Sequence, residues 1–127
     1  MSKKTNNPDF SICDGKGFRI TFENGWTISV QFGPGNYCDN YNMSFMPDPK
    51  EASRTAGENG STTAECAVLN PSGSLVDLPK RFAENDQVTN RSTPAEVLDL
   101  MKWTAKRPVP VVDSTRDAMD IVKEATL

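Results

Sequence analysis

Histidine is absent from the sequence, and its absence excludes more chemistry than any other feature of the composition. Histidine is the commonest general base near neutral pH and the commonest neutral metal ligand. Serine–histidine and cysteine–histidine nucleophile pairs are therefore excluded within one chain. The carboxylates of Glu84 and Asp86 lie in a polar stretch, where nothing indicates the burial that acid–base catalysis needs. We therefore expect a binding protein that is not an enzyme and that needs no cofactor.

Cysteine is scarce as well. Cys13, Cys38 and Cys66 are odd in number and widely spaced, which argues against a disulfide framework. A zinc site would need closely paired cysteines or added histidines, so we expect no metal. The pattern predicts three reduced, partly buried thiols in a reducing cytosol.

Long apolar runs and an excess of basic residues are also missing. No stretch approaches the roughly 18 apolar residues that suggest a membrane-spanning helix. Two lysines near the N-terminus are followed by no apolar signal segment, and we interpret residues 1–8 as a disordered leader. The net charge of -3 weakens the phosphate attraction on which nucleic-acid binding depends. We expect neither a DNA partner nor membrane association.

The length of 127 residues fits one domain, which we place at residues 9–127. Only 36% of the residues are hydrophobic, so the core is expected to be modest. Because a modest core often gains stability from association between subunits, we expect a homo-oligomer.

Residues 17–32 alternate apolar and polar side chains with a period of two, which predicts a β-hairpin. A two-residue turn would place polar residues opposite the apolar face of the partner strand. A three-residue loop over 23–25 leaves only apolar pairs on that face and puts Gly25 at a left-handed position. We therefore expect Gly25→Val to be more damaging than Asn24→Ala. The predicted pairs are Phe22–Trp26, Ile20–Ile28 and Phe18–Val30.

A second hairpin is predicted around residues 62–79, with Pro71-Ser72-Gly73 as its loop. This register pairs Val68 with Val76 and Cys66 with Leu78. Between the two hairpins, residues 33–61 lack clear periodicity, and we expect residues 48–60 to be mobile. The motif GPGNYC at the start of this segment has two interpretations. Its glycines form an anion-binding nest beside Tyr37, which stacks on a base, or the motif is a sharp turn with Tyr37 in the core.

The strongest helix signal begins at Thr93. Thr93 can cap the helix, Pro94 suits its first position, and Glu96 completes a capping box. Pro108 is expected to end the helix. The predicted apolar stripe consists of Val97, Leu98, Met101 and Ala105.

Residues 113–126 predict a short second helix with a thin apolar face at Ala118, Ile121 and Val122. Such a face docks onto another subunit, or the C-terminus is loosely held; the sequence leaves both open. Together these patterns predict an α+β fold, in which a small antiparallel sheet from two β-hairpins packs with one main helix and a short C-terminal helix.

Two groups of residues are candidates for binding. Lys102 and Lys106 lie one turn apart on the main helix, which favours either a bound anion or a solvated face that Asp99 offsets. The segment PKRFAENDQVTNR combines Arg81, Phe82 and Asn90. A guanidinium suits a phosphate, a ring suits a base, and an amide suits a base edge. An ordinary connecting loop is the alternative.

The stretch GFRITFENGWTISVQFGPGNYCDN is unusually specific. It resembles short bacteriophage proteins that carry a GF–TF–NG–T–SVQ–GPGNYC pattern, then a TAE-containing strand and a T-P-x-E-V helix start. The matching pieces are residues 17–38, 63–68 and 93–97, which cover less than half of the chain in the expected order. On these motifs the chain resembles the first-described Thoeris anti-defence family, the phage "sponge" proteins.

This resemblance implies a homo-oligomer, a dimer or a hexamer, in the cytoplasm of the host cell. It implies that the protein sequesters a cyclic ADP-ribose isomer made by a bacterial TIR-domain protein and leaves it uncleaved, which blocks host immune signalling. For some members it also implies separate sites for cyclic oligonucleotides.

The resemblance further implies a pocket in which an aromatic ring, an amide and arginines of the late helix hold the ligand. The nearest equivalents here are Phe82, Asn90, Lys102 and Lys106. Lysines stand where arginines are expected, and a lysine offers a point charge rather than a fork. The substitutes for the missing arginines are Arg54, Arg81 and Arg107.

Two other function classes compete with the sponge. One is a phage inhibitor that binds a host defence protein, such as a nuclease, directly. The other is an enzyme that cleaves a cyclic nucleotide, which the missing histidine disfavours.

Overall fold

The computed structural model describes residues 8–13, 16–84 and 86–109. Four strands form one antiparallel sheet in the order β1-β2-β3-β4. The elements are β1 Asp9–Ile12, β2 Gly17–Thr21, β3 Thr27–Gln31, a 3-10 helix Tyr41–Phe45, α1 Pro49–Asn59, β4 Glu65–Leu69 and α2 Pro94–Ala105.

This arrangement confirms the predicted α+β fold, with a small antiparallel sheet and α2 as the main helix. The patterns described above do not predict β1, which forms an edge of the sheet. The leader predicted at 1–8 falls outside the described residues except for Pro8, and the predicted helix at 113–126 falls outside them entirely.

The β2–β3 hairpin has the predicted register. Ile20 lies opposite Ile28, and Phe18 lies opposite Val30. The Phe22 amide donates to the Trp26 carbonyl at 2.9 Å, which closes the three-residue loop. Gly25 has a φ of 85°, a left-handed conformation that glycine adopts without steric penalty. The alternation of apolar residues was therefore sufficient to set the pairing.

Two rows of apolar side chains cross all four strands on one face of the sheet. The β3 and β4 members of both rows are buried together with Leu100 of α2, and the β2 members are half-buried. Phe10 and Ile12 on β1 are 80% and 82% exposed. The helix therefore covers one half of this face and leaves the other half open. The rows are Phe10–Ile20–Ile28–Val68 and Ile12–Phe18–Val30–Cys66.

The loop Pro71-Ser72-Gly73 connects β4 to a returning segment in the predicted register. Leu69 bridges Leu75, and the Val76 amide donates to the Val68 carbonyl at 3.0 Å. The proposed Val68–Val76 pair is confirmed.

The predicted pair Cys66–Leu78 is wrong. The Cys66 carbonyl accepts from the Thr89 amide at 2.8 Å, while the Leu78 amide donates to the Asp86 carbonyl. Pro79 has no amide hydrogen to continue a ladder, so the returning segment leaves β4 soon after Val76. The segment that precedes α2 takes its place beside β4.

The expectation that residues 48–60 are mobile is also wrong, because this segment forms α1. Asp48 caps the helix by accepting from the Lys50 amide at 3.0 Å, and Pro49 occupies its first turn. The series Asp-Pro-Lys-Glu is the same start signal as Thr-Pro-Ala-Glu of α2. Only Ala52 and Ala56 are buried, so the apolar face is too narrow to produce a clear periodicity.

Helix α2 starts with the predicted capping box and ends at Ala105, before Pro108. Its predicted apolar stripe needs correction, because Leu98 is 51% exposed and Ala105 is exposed. Leu100 and Thr104 are buried instead, and the Thr104 hydroxyl donates to the Leu100 carbonyl at 2.7 Å. A threonine whose hydroxyl is satisfied within its own helix can occupy a core position.

The hairpin loop between β2 and β3 holds the C-terminal end of α2. The buried Asn24 side chain donates to the carbonyls of Thr104 at 2.8 Å and Arg107 at 2.9 Å. Trp26 Nε1 donates to the Pro108 carbonyl at 3.0 Å. The last carbonyls of a helix have no partner within the helix, so these side chains supply what the helix lacks.

Asn24→Ala should lower the free energy of unfolding by about 2–3 kcal/mol, because it removes two hydrogen bonds and deprives the Arg107 carbonyl of its side-chain donor. The matched control is Asn42→Ala, since Asn42 is exposed and makes no side-chain hydrogen bond within the described residues. The control should stay within about 0.5 kcal/mol of the parent in urea denaturation followed by tryptophan fluorescence. Equal midpoints for the two variants would contradict the anchoring role. Asn24 is thus more than a turn residue, unlike the expectation from sequence.

Candidate functional site

A cavity of about 310 Å³ lies beside the C-terminal half of α2. Four cations and one carboxylate line it, which gives a net charge of +3 in a chain whose net charge is -3. We call it the cationic cavity. Its lining residues are Arg81, Asp99, Lys102, Trp103, Lys106 and Arg107.

Two aromatic rings hold the two arginines. The rings of Phe82 and Trp103 lie 6.2 Å apart and are tilted by 58°. The guanidinium of Arg81 lies 4.1 Å from the centre of the Phe82 ring, and that of Arg107 lies 4.3 Å from the centre of the Trp103 ring. Arg107 Nε also donates to the Trp103 carbonyl at 3.0 Å. Stacking and this hydrogen bond restrict the guanidiniums, which lowers the entropy lost when they bind an anion.

The local sequence explains how the cations meet. Lys102, Trp103, Lys106 and Arg107 are spaced i, i+1, i+4 and i+5, which places them on one side of α2 and its last turn. Cations near the C-terminus of a helix are stabilised by the helix dipole. Arg81 arrives from a tight turn, in which the amide of Phe82 donates to the Pro79 carbonyl at 2.9 Å.

None of the four cations forms an ion pair within the part of the chain that the structure describes. Ion pairs do form on α1, where Arg54 contacts Glu51 and Glu58. Asp99 lines the cavity, but it does not pair with Lys102 or Lys106. Like charges one turn apart destabilise a helix slightly, so an anion in the cavity would relieve this repulsion.

Five of the eight residues predicted to bind a ligand meet at this place: Arg81, Phe82, Lys102, Lys106 and Arg107. Phe82 is half-buried and packs against the core and against Trp103, so it supports the base of the cavity. Sequence reasoning missed Trp103. Its i, i+4 spacing to Arg107 on the predicted helix was the available signal.

Tyr37 and Asn90 lie in a second group that does not line the cationic cavity. The Arg91 amide donates to the Tyr37 carbonyl at 2.9 Å, and the Arg91 guanidinium donates to Asn90 Oδ1 at 2.9 Å. Arg91 has a φ of 54°, which is uncommon for a residue other than glycine. Tyr37 is 40% exposed beside Tyr41, so the interpretation that placed Tyr37 in the core is wrong. The remaining candidate, Arg54, is held by its glutamates on α1.

The GPGNYC motif does not form a free anion nest. The Gly33 amide donates to Asn36 Oδ1 at 3.0 Å, and the Gly35 amide donates to the Tyr41 carbonyl at 3.2 Å. Both glycine amides are therefore occupied by the protein itself. The turn interpretation is correct for the backbone, with Asn36 rather than Tyr37 buried within it.

A second cavity, of about 270 Å³, lies between β3, residues 61–64 and the start of α2. It contains no charged side chain and is mainly apolar, so it suits an apolar group rather than a phosphate. The lining side chains come from Val30, Phe32, Ser61, Thr62, Thr63, Ala64, Ser92, Pro94, Val97, Leu98 and Met101.

In the described ranges 8–13, 16–84 and 86–109, no three or more acidic or cysteine side chains are grouped in a way that could hold a metal ion. No helix there has the length and apolar character needed to cross a membrane.

Comparisons of the chain with protein-family models, curated proteins and solved structures found no match. A functional proposal therefore depends on the geometry of the cationic cavity and on the motifs at 17–38, 63–68 and 93–97.

The three cysteines are free, as expected, and Cys38 and Cys66 are buried. Burial raises the pKa of the Cys66 thiol from its ordinary value of 9.0 to about 11. A protonated thiol is a poor nucleophile, so Cys66 is a core residue rather than a reactive one at neutral pH.

The stability of the protein should fall as the pH rises from about 9 to about 11. In this window the unfolded chain ionises Cys66 and the folded chain does not, so ionisation favours unfolding. The slope from this group is at most about 1.4 kcal/mol per pH unit. Denaturation at several pH values, with Cys66→Ala as the control, measures it. All other ionisable groups are the same in the two proteins, so parallel pH profiles of stability would contradict the shift.

Proposed function

We propose that this protein captures a cyclic ADP-ribose isomer in the cationic cavity, holds it uncleaved, and thereby blocks immune signalling in the host cytoplasm. The observation that carries the proposal is a set of four cations around the Phe82–Trp103 pair, none of which forms an ion pair with another described residue. The motif resemblance to phage sponge proteins supports the same ligand class.

The cavity matches the chemistry of a diphosphate-bearing nucleotide. Arg81 and Arg107 present planar forks that suit phosphate oxygens, and ring stacking already orients both. Lys102 and Lys106 add point charges on the same side of α2. Trp103, which is half-buried and lines the cavity, adds an apolar surface beside these cations for a purine.

Sequestration rather than turnover agrees with the residues at this site. Within the described residues that line the cavity, Asp99 is the sole group that is neither cationic nor aromatic, and it is exposed. An exposed carboxylate without a partner acid or nucleophile is poorly suited to acid–base catalysis. The described lining residues therefore suit the binding of an anion rather than the cleavage of a bond.

A second subunit completes the site in this proposal. A cavity of about 310 Å³ is at the lower end of the roughly 300–1,000 Å³ typical of ligand pockets. A signal is removed effectively only by tight binding, and a Kd near 1 nM requires about -12 kcal/mol. An open cavity buries too little of the ligand for that affinity, so we propose a homodimer or a hexamer that encloses it.

Removal of cavity cations should weaken binding of the cyclic nucleotide. By isothermal titration calorimetry, Arg81→Ala and the double variant Lys102→Ala/Lys106→Ala should each raise the Kd by about 10–100-fold, since each loses charge-assisted contacts. Lys80→Ala is the matched control, because Lys80 is exposed, adjoins Arg81 and does not line the cavity. Its Kd should stay within about twofold.

A separate measurement distinguishes capture from the alternatives. After the complex is heated, a sponge releases its ligand unchanged, as mass spectrometry of the supernatant would show. Recovery of a cleaved product would identify an enzyme. No uptake of any cyclic ADP-ribose isomer by the parent protein would leave the direct inhibitor of a host protein as the better explanation.

A further inference from the structure

The sheet edge formed by β1 is a feature of the fold that the cationic cavity does not explain. Phe10 and Ile12 on this strand are 80% and 82% exposed. The strand sequence DFSI contains neither proline nor lysine, two residues that commonly protect a sheet edge from pairing with another chain. We call the side of residues 9–12 that faces away from β2 the β1 edge.

The ladder between β1 and β2 shows which backbone groups the β1 edge presents. The Cys13 amide donates to the Gly17 carbonyl at 3.0 Å, so these two residues form a hydrogen-bonded pair. Hydrogen-bonded and non-hydrogen-bonded pairs alternate along an antiparallel ladder, and Ser11 therefore bonds to β2 as well. The amides and carbonyls of Phe10 and Ile12 consequently point away from β2.

These outward groups have no strand beside them in the part of the chain that the structure describes. The strand order there is β1-β2-β3-β4, so β1 has a neighbour on one side. A row of backbone donors and acceptors at a sheet edge is a template for a further strand.

A second copy of the β1 edge fits these groups in one antiparallel register. With Ser11 on a two-fold axis, Phe10 lies opposite the partner's Ile12, and the reverse holds as well. Both are then hydrogen-bonded pairs, and each exchanges two bonds. An axis one residue away is less favourable, because it places Ile12 opposite Pro8, which lacks an amide hydrogen, or Phe10 opposite the charged Asp14.

The same register also matches the side chains of the two copies. The apolar row that ends at Phe10 continues into the row of the partner that begins at Ile12, with Cα atoms about 5.5 Å apart. On the other face, the two Ser11 hydroxyls meet at the axis and can bond to each other. Asp9 lies opposite the partner's Cys13, so the described residues of β1 place no like charges opposite each other.

We propose that the β1 edge binds the same edge of a second copy, with Ser11 on the two-fold axis, and joins the two four-stranded sheets into one. Helix α2 packs on β3, so this contact leaves both cationic cavities accessible. It is separate from the subunit contact proposed to enclose the nucleotide, and it does not depend on the ligand of the cationic cavity.

Disulfide cross-linking of the full chain tests the register. Ser11 would form a non-hydrogen-bonded pair with its copy, in which Cα atoms lie about 4.5 Å apart, within the reach of a disulfide. In a Cys13→Ala background, Ser11→Cys should therefore form a covalent dimer under mild oxidation. The matched control is Arg19→Cys, on the same face of β2. Its two copies would be three strand spacings or about 14 Å apart, so it should cross-link at least about tenfold more slowly.

Sedimentation analysis under reducing conditions tests the backbone pairing. Ile12→Pro removes the outward amide hydrogen without removing a donor from the β1–β2 ladder. Ile12→Ala is the matched control, because both substitutions remove the isoleucine side chain. The proline variant should raise the dimer Kd by about tenfold or more relative to the alanine variant, since it loses the hydrogen bonds that its two amides donate.

Three results would overturn the proposal. A parent chain that stays monomeric at every concentration would leave the edge to another segment of the chain or to a different protein. Equal dimer affinities of Ile12→Pro and Ile12→Ala would assign the dimer to another surface. Equal cross-linking rates of Ser11→Cys and Arg19→Cys would contradict the register.

Discussion

The attachment of the α2 C-terminus to the β2–β3 loop determines the position of α2 on the sheet, and with it the position of the cationic cavity. The Asn24 amide and the Trp26 indole satisfy carbonyls of Thr104, Arg107 and Pro108. These groups are about 80 residues apart in sequence, so the contact fixes the helix relative to the sheet with a few directional bonds. Leu100 supplies the apolar contact, but burial alone has no direction and would allow the helix to rotate or slide.

The cationic cavity forms because these contacts fix the rotation of α2 about its own axis. With Leu100 and Thr104 directed to the core, Trp103 lies at the boundary and Lys102 and Lys106 face solvent. Phe82 then packs on Trp103 and brings Arg81 to the same place. One set of contacts thus stabilises the fold and places the charges, which is why a half-buried aromatic pair lies at the base of a polar site.

How well each feature could be predicted from the sequence depends on how far apart in sequence the interacting residues lie. The β2–β3 register and the α2 capping box depend on residues close in sequence, and both were predicted correctly. The Cys66–Leu78 pair failed because Thr89, 23 residues away, competes for the same backbone groups of β4. Helix α1 has a clear start signal, but it buries only Ala52 and Ala56, and a narrow face leaves little periodicity. At the site, the cations were evident from composition and spacing, whereas the Phe82–Trp103 contact is tertiary and no local pattern predicts it.

Four like charges around one cavity oppose folding, so the fold must offset their repulsion before any ligand arrives. Two features do so here: the α2 C-terminus favours cations in its last turn, and the faces of Phe82 and Trp103 attract the two guanidiniums. The lysines remain hydrated and exposed, which limits their cost. The four neighbouring cations are therefore tolerated in the folded protein but still repel one another. An anion that binds only the folded protein adds RT ln(1 + [L]/Kd) to its stability, so relief of the residual repulsion between these charges would contribute to the free energy of anion binding.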